Sequence, residues 1–152
     1  MKFNEFTIGQ VFETKSYELT KEDILRFAGE FDPLYMHLNE EKAMHSRFNG
    51  IIASGIHTLA ITTKLWVETG IYGDDVIAGS GMNNIKFIKA VYPGDELYTI
   101  VKVIDKKAKK VEFGNITLLF STYNHKEEKV FEGDLSVLIK RCITIGEQYK
   151  QI

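Results

Sequence analysis

The chain has 152 residues, a net charge of −2 and one cysteine, with 44% apolar and 26% charged residues. This is ordinary globular composition, and a single domain over residues 1–152 with a core that needs no staples is expected. The near-neutral charge argues against nucleic acid as a partner. The longest run without a charge, 48–63, is 16 residues, short of the ~20 apolar residues of a membrane span. The lone thiol Cys142 and the polar–apolar alternation of the N-terminus fit a soluble cytoplasmic protein.

Residues 8–19, IGQVFETKSYEL, read as a first strand. Thr20 reads as an N-cap, with Glu22 and Asp23 in the first turn, where acids favour the helix dipole. Ile24, Leu25, Phe27 and Ala28 give a short apolar stripe, and Gly29 and Pro33 stop that helix before Asp32. Asn39 caps a second short helix beginning NEEKAMHSRF. Residues 54–69 read as a helix of about four turns, ended by Gly70 and Gly73. Its first two turns carry no charge and many small residues, the mark of a buried helix.

After residue 80 the pattern turns extended, with strands expected near 80–92, 96–105, 110–123 and 129–141, and AGSG at 78–81 taken as the turn into the first. In the last, Phe131, Gly133, Leu135, Val137 and Ile139 share one face. The third alternates too poorly to assign an inward face. Short turns between consecutive strands imply an antiparallel sheet, and a buried helix against it is an α+β layer architecture. Trp66, Phe87 and Phe113 are expected in the core, although any of them could line a pocket. Cys142 reads as a small buried thiol.

For chemistry, three of the four histidines, His37, His45 and His57, fall close together with Asp32, Glu40 and Glu41 nearby. Their spacing matches no compact metal signature, and no metal or other cofactor is expected. No nucleophile elbow surrounds Ser54, and no glycine-rich phosphate loop occurs. What stands out is DPLYMHL at 32–38, which sets Asp32 and His37 five positions apart with Pro33 between them. Asp before Pro is common turn chemistry, so the pair needs its context.

That context is FAGEFDPLYMHLNEEKA followed by FNGIIASGIHTLA, with Gly55 18 residues after His37, and NIKFIKAVYPGDELYTIVKV at 84–103. From about residue 8 to residue 140 the chain resembles the MaoC-like dehydratase and (R)-specific enoyl-CoA hydratase family, a branch of the hotdog fold. The resemblance implies an antiparallel β-sheet wrapped around a long central helix. It implies reversible addition of water to a trans-2-enoyl thioester, on CoA or acyl carrier protein, giving a 3-hydroxyacyl thioester. By the same likeness Asp32 and His37 hold the water, Gly55 offers its N–H to the thioester carbonyl, and Thr63 matches a position near the substrate. Ser54 and His57, close to Gly55 in sequence, are further candidates for substrate binding, although His57 reads first as a hydrogen-bonded core histidine. A homodimer or higher homo-oligomer is implied too.

Many members carry Gly before the Asp and Asn two residues after it. Here those positions are Phe31 and Leu34, which bears on substrate more than on fold. A hotdog acyl-CoA thioesterase and a non-catalytic acyl-CoA-binding module are the alternatives. The thioesterase's usual acid on the central helix has no obvious match, since Glu68 falls near its far end.

Overall fold

The computed structural model describes residues 1–148, so 149–152 of the expected domain lie outside it. After a 3-10 turn at Phe3–Glu5 come β1 (Val11–Glu13) and β2 (Tyr17–Glu18), so the single strand expected at 8–19 is split. Both pieces pair antiparallel with β4 (Glu96–Ala108), but Glu13 faces Ile100 while Tyr17 faces Leu97. The chain thus carries one residue more than its partner between those pairs, as a β-bulge does. There the Thr14 hydroxyl accepts the Thr99 N–H at 2.9 Å.

Helix α1 (Lys21–Phe31) starts where its cap predicts, with Thr20 Oγ1 accepting the Asp23 N–H at 3.2 Å, and it stops at Asp32 ahead of Pro33. A further turn, α2 (Tyr35–Leu38), leads to α3 (Glu40–Met44), which Asn39 caps. The long helix α4 (Gly55–Glu68) sets Ile61, Leu65 and Trp66 into one core with Val101, Leu118 and Phe120. Contrary to expectation it is not covered all round: Ile56 and Val67 are half exposed.

The remaining strands are β3 (Val76–Phe87), β5 (Phe113–Tyr123) and β6 (Lys129–Lys140), and the antiparallel sheet runs β1-β4-β5-β6-β3, with β2 also on β4. The face of β6 read from the sequence is the buried one. In β5 the inward residues are Gly114, Ile116, Leu118 and Phe120. Residues 78–81 lie inside β3 and are not a turn. β3 is an edge strand, mostly exposed and interrupted by register shifts. Its exposure hides the apolar rhythm by which a strand is read. Cys142 follows the end of β6 and is exposed, because the strand stops at Lys140 instead of reaching it. A final turn, α5, spans Ile145–Gln148.

Candidate active site

The end of α1, the turn α2 and the first turn of α4 converge. Asp32 is the C-cap of α1 and Ser54 the N-cap of α4. The Ser54 hydroxyl donates to Asp32 Oδ2 at 2.7 Å and accepts the Ile56 N–H at 3.2 Å. The same Oδ2 lies 3.4 Å from His37 Nε2. His37 is buried, and its Nδ1 lies 2.7 Å from the carbonyl of Ile52. A carbonyl only accepts, so the proton sits on Nδ1 and Nε2 is the nitrogen turned to the acid. The backbone between is tightly tied. The Leu34 N–H donates to the Asp32 carbonyl and the His37 N–H to that of Leu34. The Ile52 N–H reaches Met36, and that of Ala53 reaches Val91.

Gly55 is the first residue of α4, and an α-helix provides no carbonyl partner for its first amides. Its N–H lies where the macrodipole favours negative charge. A cavity of about 270 Å³ is lined by His37, Gly55, Thr58 and Phe87, among others. Asp32, His37, Ser54 and Gly55 therefore come together as a group.

His57 and Thr63 do not join this group. His57 faces α1, where its ring stacks flat on Phe27 at 4.3 Å. Burial holds the His57 imidazole below its ordinary pKa, which nearby Asp23 opposes. Its Nδ1 is buried with no hydrogen-bond partner among the described residues. Thr63 donates its hydroxyl back to the Leu59 carbonyl at 3.0 Å and lines a separate, largely apolar cavity of about 380 Å³ with Trp66, Tyr72 and Phe120. Burial raises the Tyr72 phenol to about 12. His45 lies on the surface apart from His37 and His57. Among the described residues no group of three or more His, Cys, Asp and Glu side chains could hold a metal ion. Nor is any described helix long and apolar enough to cross a membrane.

One contributor escaped the sequence: the Ile52 carbonyl is main chain and leaves no trace in residue type. Phe87, expected in the core or else lining a pocket, is half exposed and lines the cavity with its ring against Gly55. Trp66 is buried as expected.

A curled antiparallel sheet around one long helix, with an acid and an imidazole held just ahead of that helix, defines a hotdog-fold protein of the dehydratase type. The chain belongs to the MaoC-like family, whose "MaoC like domain" matches residues 3–123. It is 69% identical over 141 residues to the "uncharacterized protein YdeM" of Bacillus subtilis (strain 168), covering 93% of this chain and 100% of that one. It superposes on the MaoC-like dehydratase from Rhodospirillum rubrum with a TM-score of 0.86 and 32% identity, over 95% of this chain and 99% of the other. The (R)-hydratase from A. caviae involved in PHA biosynthesis shares the fold, with a TM-score of 0.73, 19% identity and coverage of 88% and 96%.

Proposed function

We propose that the protein adds water reversibly to trans-2-enoyl thioesters, carried on CoA or acyl carrier protein, to give 3-hydroxyacyl thioesters. The observation that carries this reading is Asp32 Oδ2 facing His37 Nε2 at 3.4 Å beside the first amide of α4. Water attacks only when a base relieves it of a proton, and positioned acid–base groups contribute ~10²–10⁴-fold. Asp32 takes one proton of the water while its oxygen bonds the β-carbon. The electron pair of the double bond moves toward the thioester oxygen, where the Gly55 N–H stabilises the developing charge. Asp32 passes that proton to the open Nε2 of His37, 3.4 Å from its Oδ2, and the resulting Nε2–H delivers it to the α-carbon, so that both groups are restored. Ser54 acts as a positioning residue, because its hydroxyl is spent on Asp32 and the Ile56 amide.

The thioesterase alternative loses ground here. Glu68 lies at the far end of α4, held by Lys15 at 3.0 Å and by Lys64. A homodimer is proposed through β3, whose free edge carries half-exposed Ile77 and Met82. Long exposed edges are otherwise pairing hazards. Loss of the conjugated enoyl absorbance of crotonyl-CoA tests the reaction. Asp32→Asn and His37→Ala are each expected to slow it by about 10²-fold or more. Unchanged rates in both would remove the assigned roles, thiol release without hydration would favour the thioesterase, and tight acyl-CoA binding without turnover the binding module. A monomeric mass at micromolar concentration would contradict the dimer.

A further inference from the structure

A methyl group placed on Gly55 would lie 2.8 Å from three carbons of the Phe87 ring, Cδ1, Cδ2 and Cε1. Near-equal approach to three ring atoms means that the ring presents its face to the glycine. Gly55 lies in ordinary helical conformation outside the left-handed region. The backbone would therefore accept alanine, and it is the ring that demands glycine here.

The ring is held from behind. Phe87 ends β3 opposite Phe131, with ring centroids 6.1 Å apart. The next two amides, Ile88 and Lys89, both donate to the Val130 carbonyl, at 2.8 and 3.3 Å. Yet Phe87 is 55% exposed, and it lines the same cavity as His37 and Gly55. A large apolar ring left half open to water on an anchored backbone is poor core packing but a suitable wall for a ligand.

We infer that Phe87 sets the width of the site beside Gly55 and so selects enoyl thioesters that carry no substituent on the α-carbon. This rests on the hydratase reading above. With the carbonyl oxygen on the Gly55 amide, the α-carbon is two bonds from that oxygen, and His37 must reach it to deliver the proton. The α-carbon is then confined to the space His37, Gly55 and Phe87 share, where an added methyl meets the ring. One methyl group in a fitted pocket is worth roughly 10–200-fold in discrimination.

The experiment compares kcat/KM for crotonyl-CoA and its 2-methyl derivative in wild type, Phe87→Leu and Phe87→Ala. The intrinsic effect of the methyl group on reactivity cancels between variants. The crotonyl preference is expected to fall by about tenfold or more in Phe87→Ala and by less in Phe87→Leu. The change should arise from a gain on the branched substrate. Circular dichroism checks folding, and Phe87→Leu decides the matter alone if the alanine variant does not fold. An unchanged ratio in a folded variant that still hydrates crotonyl-CoA overturns this inference while the hydratase reading stands. Absence of crotonyl-CoA hydration in the wild type overturns both.

Discussion

The hydroxyl oxygen of Ser54 lies 2.7 Å from Oδ2 of Asp32, which joins the first turn of the long helix to the end of α1. One side chain thus caps a helix and orients an acid. Ser54→Ala removes both bonds. Loss of an N-cap costs about 0.5–2 kcal/mol, and a hydrogen bond to a charged group about 1.5–3 kcal/mol. We expect a lower melting temperature and a kcat reduced about tenfold, the equivalent of ~1.4 kcal/mol. The loss should be milder than that of Asp32→Asn. Thermal melts and steady-state kinetics of both variants check this.

A second polar contact ties the same helix to the sheet. Thr122 Oγ1 lies 2.7 Å from Thr62 Oγ1 and 2.8 Å from Thr99 Oγ1, and all three residues are buried. Thr122→Val strands the two outer hydroxyls in the core. A buried polar group left without a partner costs ~1–3 kcal/mol, whereas replacing all partners by apolar groups of the same shape is nearly neutral. Denaturant unfolding should show Thr122→Val clearly destabilised and the triple Thr→Val variant largely recovered.

The buried His57 makes stability depend on pH. Its pKa in the folded protein lies below the ordinary 6.5, chiefly because burial disfavours the charged ring. Between that lowered value and 6.5 the unfolded chain binds the proton and the folded chain does not. Folding stability therefore rises with pH across this window and falls as pH drops through it. Above the window His57 contributes no pH dependence. His57→Phe, which keeps the stack on Phe27, should flatten this part of the profile. Melting temperatures of both proteins from pH 7 to pH 5 read the difference; identical slopes would show that His57 is not the group responsible.

The proposed dimer is tested at its edge. Ile77→Lys puts a charge on β3, a substitution that opposes edge pairing. We expect the dimer dissociation constant to rise by about tenfold or more, since each 1.4 kcal/mol is tenfold. Sedimentation at several concentrations measures it.

Much of this protein is legible in its sequence wherever chemistry is local. Thr20 and Asn39 cap the helices they announce, and Pro33 ends α1 where sterics require. The Asp32, His37 and Gly55 spacing brings those three residues together. What stayed hidden depends on partners distant in the chain. β3 escaped as a strand over 78–81 because an exposed edge has no buried face to write an apolar period. The split of the first strand follows from a one-residue mismatch with β4 that neither segment carries alone. Residue type leaves Phe87 open between core and pocket, because it says nothing of a ring laid against a distant glycine. His57 stands close to Gly55 in sequence and Thr63 matches a position of the family, but helical rotation turns both to other walls.

The proton on His37 is directed by the main chain, through the carbonyl of residue 52. Every amino acid supplies that same oxygen. Drift at position 52 can alter the bulk beside the imidazole without reversing its tautomer. The protonation pattern is thus inherited from the course of the backbone, and descendants of this chain could reshape their substrate preference there while keeping the acid–imidazole chemistry intact.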